Sequence, residues 1–350
     1  MVHGPCSNTP DPLWPSEAGK YIAERSKDVT VNDQAVKTAA EDAAKEFISE
    51  SRTLQAFKDL PLHPNFADDA AIDFIFAVDT LNFCFWSDDP EETYKVKYKD
   101  TFYSGYWSIV AALKRAEDEG KPVFSAIFMS SVDLDEFKHI VRSDTIVEIP
   151  LLKERLKAYN EAGRVLLEKY DGSFSNCIRR CNKDAVQLVN ILAADFSSYR
   201  DESVFDGRPI ALYKRAQIAV ADIWLCFEGR GLGEFSNIDK LTMFADYRVP
   251  QTLEYFGILQ YSKELKEKLQ NRETLQSGCR LESEIRGCSI EAVEKLKSET
   301  RKILLSNPET TKYAKIVNSI TIDNHLWDFA ASHRSKMAHL EFHRVRTIFY

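Results

Sequence analysis

At 350 residues, 44% hydrophobic and 29% charged, the chain is long enough for one large core or two coupled subdomains, and its composition excludes disorder over most of its length. The 54 acidic against 46 basic side chains give a formal charge of −8. That balance repels polyanions and argues against a duplex-DNA binder, which needs a basic face for phosphate contacts. Seven cysteines, at positions 6, 84, 177, 181, 226, 279 and 288, are scattered without the spacing of a zinc or iron–sulfur site. Cys177 and Cys181 would share a helical face, but nothing nearby completes four ligands, so the set reads as buried thiols in a reducing compartment and no metal is expected.

Residues 1–30 hold Pro5, Pro10, Pro12 and Pro15 among polar residues and lack the apolar run of a signal peptide or a membrane span. They read as a loosely ordered tail, anchored at Trp14 and Tyr21. From there a single helical domain is expected to residue 350, or two subdomains with a pocket between them. Asn32 or Asp33 can cap a helix through about Ser51. The segment 69–82 is too densely apolar for a surface helix and delivers Asp79 and Asn82 to its end, followed by Phe83, Phe85 and Trp86. Rings supply stacking area, while Asp and Asn read donor and acceptor edges, so this mixture suits a flat polar heterocycle as well as it suits a plain core segment. Residues 94–103 alternate with period two around Lys99–Asp100 and predict a short hairpin, the one β element expected in a mainly α chain.

Helices follow at about 104–119, 133–141, 150–169 and 176–195, with Asp201–Gly207 as a loop. A central helix over 210–227 carries Lys214, Arg215, Gln217 and Asp222 as polar interruptions, and Asp222 is expected to orient Arg215 or Arg248. Gly229, Gly231 and Gly233 follow a helix instead of a strand, which excludes a dinucleotide-binding loop. Ser236 or Asn237 can cap a helix containing Leu241. Pro250 then suits the first turn of a new helix, which places Asp246 near a helix N-terminus. Beyond a helix at 262–270, residues 279–304 read as a hinge at Arg286–Gly287 and a helix capped by Ser289; the last helices are expected at 311–330 and 332–340. His333, Arg334, Lys336, His339, His343, Arg344 and Arg346 make the C-terminal stretch basic, suited to an anion or to a solvated face.

The stretch LTMFADYRVPQ (241–251) sets Asp246 between aromatic rings and Arg248. A partly shielded carboxylate there is either a structural Asp–Arg bridge or a reactive group. Together with LNFCFWSD (81–88), KRAQIAVADIW (214–224), EIRGCSIEAVE (284–294), IDNHLWD (322–328) and HRVRTIFY (343–350), it resembles the queuosine salvage proteins, which are queuosine 5′-phosphate N-glycosylases. The similarity runs from about Val31 to Tyr350. It implies a multi-helix globular fold similar to helix-hairpin-helix DNA glycosylases, with no cofactor, that hydrolyses queuosine 5′-monophosphate to queuine and ribose 5-phosphate.

On that resemblance Asp246 is the catalytic anion, which stabilises positive charge at the ribose C1′ or acts as base for water. Asp79, Asn82, Phe83 and Trp86 are expected to bind the base, with Tyr247, Trp327 and Asp328 as further walls. Arg248, Lys240, His343 and Arg344 are candidates for the 5′-phosphate. The partner is then a small nucleotide, with no direct nucleic-acid binding and no membrane, in the cytoplasm with the nucleus left open. The competing readings are a DNA base-excision glycosylase, which the acidic charge disfavours, and a non-catalytic helical scaffold, which would lack an enclosed cavity.

Overall fold

In the computed structural model, which describes residues 10–49, 57, 60–89 and 92–350, the N-terminal segment is not a loose tail from Pro15 onward. Helix α1 (Pro15–Ala23) buries Ala18 and Ile22 completely, and Trp14 and Tyr21 do anchor it, against Tyr213 and Phe205. Strand β1 (Val29–Val31) leads to α2 (Asp33–Ile48), where the Asn32 side chain accepts from the amides of Gln34 and Ala35. Helix α3 (Asp69–Thr80) is buried along nine of its twelve residues, as its dense apolar pattern requires. The predicted hairpin is β2 (Lys95–Tyr98) with β3 (Thr101–Ser104), and Lys99 and Asp100 both take positive φ in its two-residue turn.

Helices α4 (Tyr106–Asp118), α5 (Ala126–Ser131), α6 (Leu134–Ile140) and α7 (Leu152–Lys169) follow. At six residues, α5 is too short to show a period. The single helix expected over 176–195 is two, α8 (Phe174–Arg180) and α9 (Ala185–Asp195). Asn182 and Lys183 turn the chain at positive φ between them, and Asp184 caps the second. The expected loop at 201–207 forms a hairpin, β4 (Glu202–Phe205) with β5 (Arg208–Ala211), so the central helix α10 (Lys214–Cys226) begins later than expected. Neither Ser236 nor Asn237 caps an α-helix; the chain makes one 3₁₀ turn at Ile238–Lys240 and runs extended into α11 (Arg248–Tyr255), with Pro250 in its first turn.

Strand β6 (Leu259–Tyr261) pairs antiparallel with β1, then come α12 (Lys263–Gln270) and β7 (Thr274–Leu275). Helix α13 (Arg280–Leu305) is continuous through Arg286–Gly287, where a hinge is expected from the sequence. Gly287 is there because α1 crosses closely: a Cβ would stand 2.4 Å from Ile22 Cδ1. Cys279, not Ser289, caps the helix. Of the last two expected helices, 3₁₀ turns occupy Thr311–Lys315 and α14 (Ser319–Ser332) is regular, while 333–340 forms turns. Strand β8 (Arg344–Val345) lies parallel to β7. The fold is mainly α, with fourteen α-helices and four two-stranded sheets among the described residues. None of these helices is long and apolar enough to cross a membrane.

Two apolar clusters form the core. One gathers α3, α4 and α7 to α10; the other gathers α1, α2, α11, α13 and α14.

Candidate active site

Residues of both clusters line a cavity of about 1080 Å³, at the upper end of the size of small-molecule sites. Helix α10 contributes Lys214, Ile218, Asp222 and Leu225, whose spacing puts them in one row along the helix. At 1.5 Å per residue, Lys214 and Asp222 are about 12 Å apart along the axis. A second wall comes from Phe244, Asp246, Tyr247 and Arg248, and a third from α14 through Asp323, Asn324, Trp327 and Asp328. Asn82, Phe83 and Phe85 close another side, and the rings of Phe57, His63, Tyr106 and Trp107 close the end.

The charged groups cluster where α10 begins. One carboxylate oxygen of Asp246, Oδ1, accepts from the amides of Arg248 and Val249 at 2.8 and 3.0 Å, capping α11; Oδ2 has no hydrogen-bond partner among the described residues. The structural Asp–Arg bridge does not form, since the Arg248 guanidinium donates to Gln251 Oε1 at 3.2 Å. Asp323 is buried, with Oδ1 accepting the Phe244 amide at 2.9 Å. Burial first, and the Asp246 charge second, push its carboxyl well above the usual carboxylate range. Lys214 is buried too; burial lowers its ammonium, and Asp246 is the largest influence restoring it. The Lys214 amide donates to Asp201 Oδ2 at 3.1 Å, and Asp201 is itself held by both Arg286 Nη atoms at 3.0 and 2.6 Å. Farther along α10, burial and then Asp79 push the Asp222 carboxyl well above its usual range.

Two guanidinia stand at the mouth of this cluster. Arg248 lies over the Phe342 and Tyr247 rings at 4.6 and 5.3 Å. Arg334 makes no hydrogen bond or ion pair through its side chain among the described residues, and burial followed by the Arg248 charge lowers its pKa. Neither guanidinium has a carboxylate within salt-bridge distance among the described residues, which leaves both open to an anion. Among the described residues, no three His, Cys, Asp or Glu are placed to hold a metal ion.

A family model described as "Queuosine salvage protein" matches residues 62–350. The chain belongs to the queuosine salvage protein family. It is 45% identical to a cattle (Bos taurus) protein over 97% of this chain and 99% of that one, and 44% identical to a mouse (Mus musculus) protein over the same shares. It is also 38% identical to a protein of the fission yeast Schizosaccharomyces pombe over 91% of each chain. All three are named queuosine 5′-phosphate N-glycosylase/hydrolase.

In this queuosine salvage protein the cavity brings together Asn82, Phe83, Asp246, Tyr247, Arg248, Trp327 and Asp328 from the residues that the sequence singles out. The others lie elsewhere. Asp79 sits behind Asn82, whose Nδ2 donates to its Oδ1 at 3.4 Å, and its Oδ2 is buried without a partner. Trp86 is buried, with its indole N–H on the Val345 carbonyl and Arg346 stacked on its ring at 3.6 Å. Lys240 is exposed on the 3₁₀ turn. His343 and Arg344 are buried outside the cavity wall, and Arg344 Nη2 pairs with Glu341 Oε2 at 2.9 Å. Asp222, expected to orient Arg215 or Arg248, bonds neither; it lines the cavity itself. The sequence does not single out Lys214 and Asp323 for the cavity wall, and it marks Arg334 only as one member of the basic C-terminal run. A signal existed for Asp323: with Asn324, Trp327 and Asp328 it forms a polar and aromatic face of α14 where an amphipathic core helix would present aliphatic residues.

Proposed function

We propose that the chain hydrolyses the N-glycosidic bond of queuosine 5′-monophosphate, releasing queuine and ribose 5-phosphate. The observation that carries this reading is the Asp246 Oδ2, left without a hydrogen bond among the described residues, in a cavity lined also by Lys214, by an amide-and-ring wall at 82–85 and by the guanidinia of Arg248 and Arg334. A nucleotide threads that arrangement with its base against Asn82 and Phe83, its ribose over Asp246 and its phosphate on the arginines.

As the bond between C1′ and the base nitrogen breaks, the electron pair leaves with the base and positive charge grows on C1′ and the ring oxygen. The Asp246 carboxylate stabilises that charge, water adds its oxygen to C1′ and gives one proton to Asp246, and the departed base takes up one proton at the nitrogen that carried the ribose, so that water supplies hydroxyl to the sugar and, in balance, hydrogen to the base. A 7-deazapurine has no N7 to protonate, so departure relies on hydrogen bonds to the ring edge, where the Asn82 amide and the Asp222 carboxyl stand in the cavity wall. Trp327 and Tyr247 wall the nucleoside. The substrate is a small nucleotide and not a nucleic-acid polymer, as the net charge of −8 supports. The six free cysteines among the described residues support a reducing, cytoplasmic setting.

Remote binding energy from the phosphate holds the ribose against Asp246, so kcat/KM is expected to be clearly higher for the 5′-monophosphate than for the free nucleoside. Arg334→Ala and Arg248→Ala should each erase about ten- to a hundredfold of that preference, the worth of a charge-assisted contact. Arg344→Ala should leave the preference intact. Equal kcat/KM for the two substrates in the wild-type protein would remove the phosphate site from the account.

A further inference from the structure

The wall that meets the base is a turn, and two buried arginines hold it. Residues 79–84 leave α3 and bend at Cys84, which takes a φ of 46°. Arg155, on α7, is fully buried; its Nη1 donates to the Leu81 carbonyl, its Nη2 to the carbonyls of Phe83 and of Cys84, the last at 2.9 Å. Arg215, on α10, is 1% exposed; its Nη1 donates to the carbonyls of Asp79 and Thr80, both at 2.8 Å, and its Nη2 to that of Ser198. The two guanidinium carbons stand 4.3 and 4.9 Å from the Phe83 ring centroid. Of the carbonyls from Asp79 to Cys84, only that of Asn82 is gripped by neither arginine, and the Asn82 side chain lines the cavity.

Neither arginine has a carboxylate within salt-bridge distance among the described residues. Burial without a counter-charge pushes Arg155 down to about 10. Apolar side chains of similar volume would fill both sites with less desolvation cost, so bulk stability alone is a poor reason for them. What the guanidinium fork adds is direction, since several fixed donors set the path of a backbone that has left its helix.

We infer that Arg155 and Arg215 are positioning residues that preset Asn82 and Phe83 for the base of the substrate. The inference rests on the N-glycosylase reading and goes beyond it by assigning base affinity to residues that never touch the base. Arg155→Lys and Arg215→Lys keep the charge but lose the fork. Calorimetry on each is expected to show queuine affinity reduced at least about tenfold, since misplacing a contact by about 1 Å can cost a hundredfold. Affinity for ribose 5-phosphate should change less than about twofold, because that ligand lies on the arginine and Asp246 side. Equal loss of both ligands, or loss of neither, would overturn the inference. A wild-type protein that binds neither ligand would instead overturn the function proposed above. Should both variants fail to fold, hydrogen exchange in the unliganded wild type decides: amides 82–85 are expected to be as protected as those of α10, and exchange at the rate of an open loop would refute a preset wall.

Discussion

Asp246 is bound through one oxygen and open at the other, and that asymmetry separates its two roles. Asn caps helices about as well as Asp. Asp246→Asn is therefore expected to keep the melting temperature and the affinity for queuine while losing about 10²–10³ in single-turnover rate, the usual worth of a preorganised electrostatic contact. A variant retaining a tenth of the wild-type rate would make the carboxylate a cap and nothing more.

Asp79 tests the electrostatics of the buried wall. Burial, opposed by Asn82, Lys214 and Arg215, pushes its pKa from 3.8 to about 7. Between those values the unfolded chain has released the proton and the folded one still holds it, so the favourable contribution is complete below about pH 4 and is lost as pH rises to 7. Relative to wild type, Asp79→Asn is expected to gain stability from pH 4 to pH 7 in urea unfolding. A constant difference between the two proteins would contradict this.

The sequence singles out, among the residues that line the cavity, those whose chemistry is odd where they stand. Asn82 and Phe83 follow a solidly apolar helix, and Asp246 sits among rings. Lys214 and Asp323 were not legible because a charge on a buried helix declares its role only when another segment comes beside it; Arg334, part of the basic C-terminal run, lies on an exposed turn beyond α14. His343 and Arg344 are buried outside the cavity lining. A local excess of cations suggested an anion site, yet Glu341, three residues before Arg344, already supplies its partner.

At the scale of elements, the helices set by caps and long apolar periods appear where the sequence places them, as α2, α3 and α7 do. The errors arise where long-range packing overrules a local rule. Gly287 reads as a break in α13 and is instead the close approach of α1. The pairings of β1 with β6 and β7 with β8 join segments far apart in the chain, which no local pattern announces. Gly163 on α7 offers a direct test of such a crossing, since a Cβ there would meet the Ser130 backbone nitrogen at 2.4 Å. Backbone cannot rotate away as a side chain can. Gly163→Ala should thus lose about 1–3 kcal/mol to overpacking, more than the roughly 1 kcal/mol that alanine returns in a helix. Chemical denaturation that finds this variant more stable than wild type would show that α5 and α7 do not cross so closely.

For the whole molecule, the central fact is a cavity of mixed charge inside an acidic protein. A formal charge of −8 discourages polymeric nucleic acid, while Arg248, Arg334 and Lys214 stand with Asp222, Asp246, Asp323 and Asp328 along one cavity. Asp246 stands in that cavity, and Asn82 and Phe83 of the 79–84 turn line it too. The most direct measurement is chromatography of the products after incubation of the full chain with queuosine 5′-monophosphate. Free queuine and ribose 5-phosphate in equal amounts are the expected result; intact nucleotide with no free base, from protein that is folded and binds it, would contradict the assignment of this cavity to glycosidic hydrolysis.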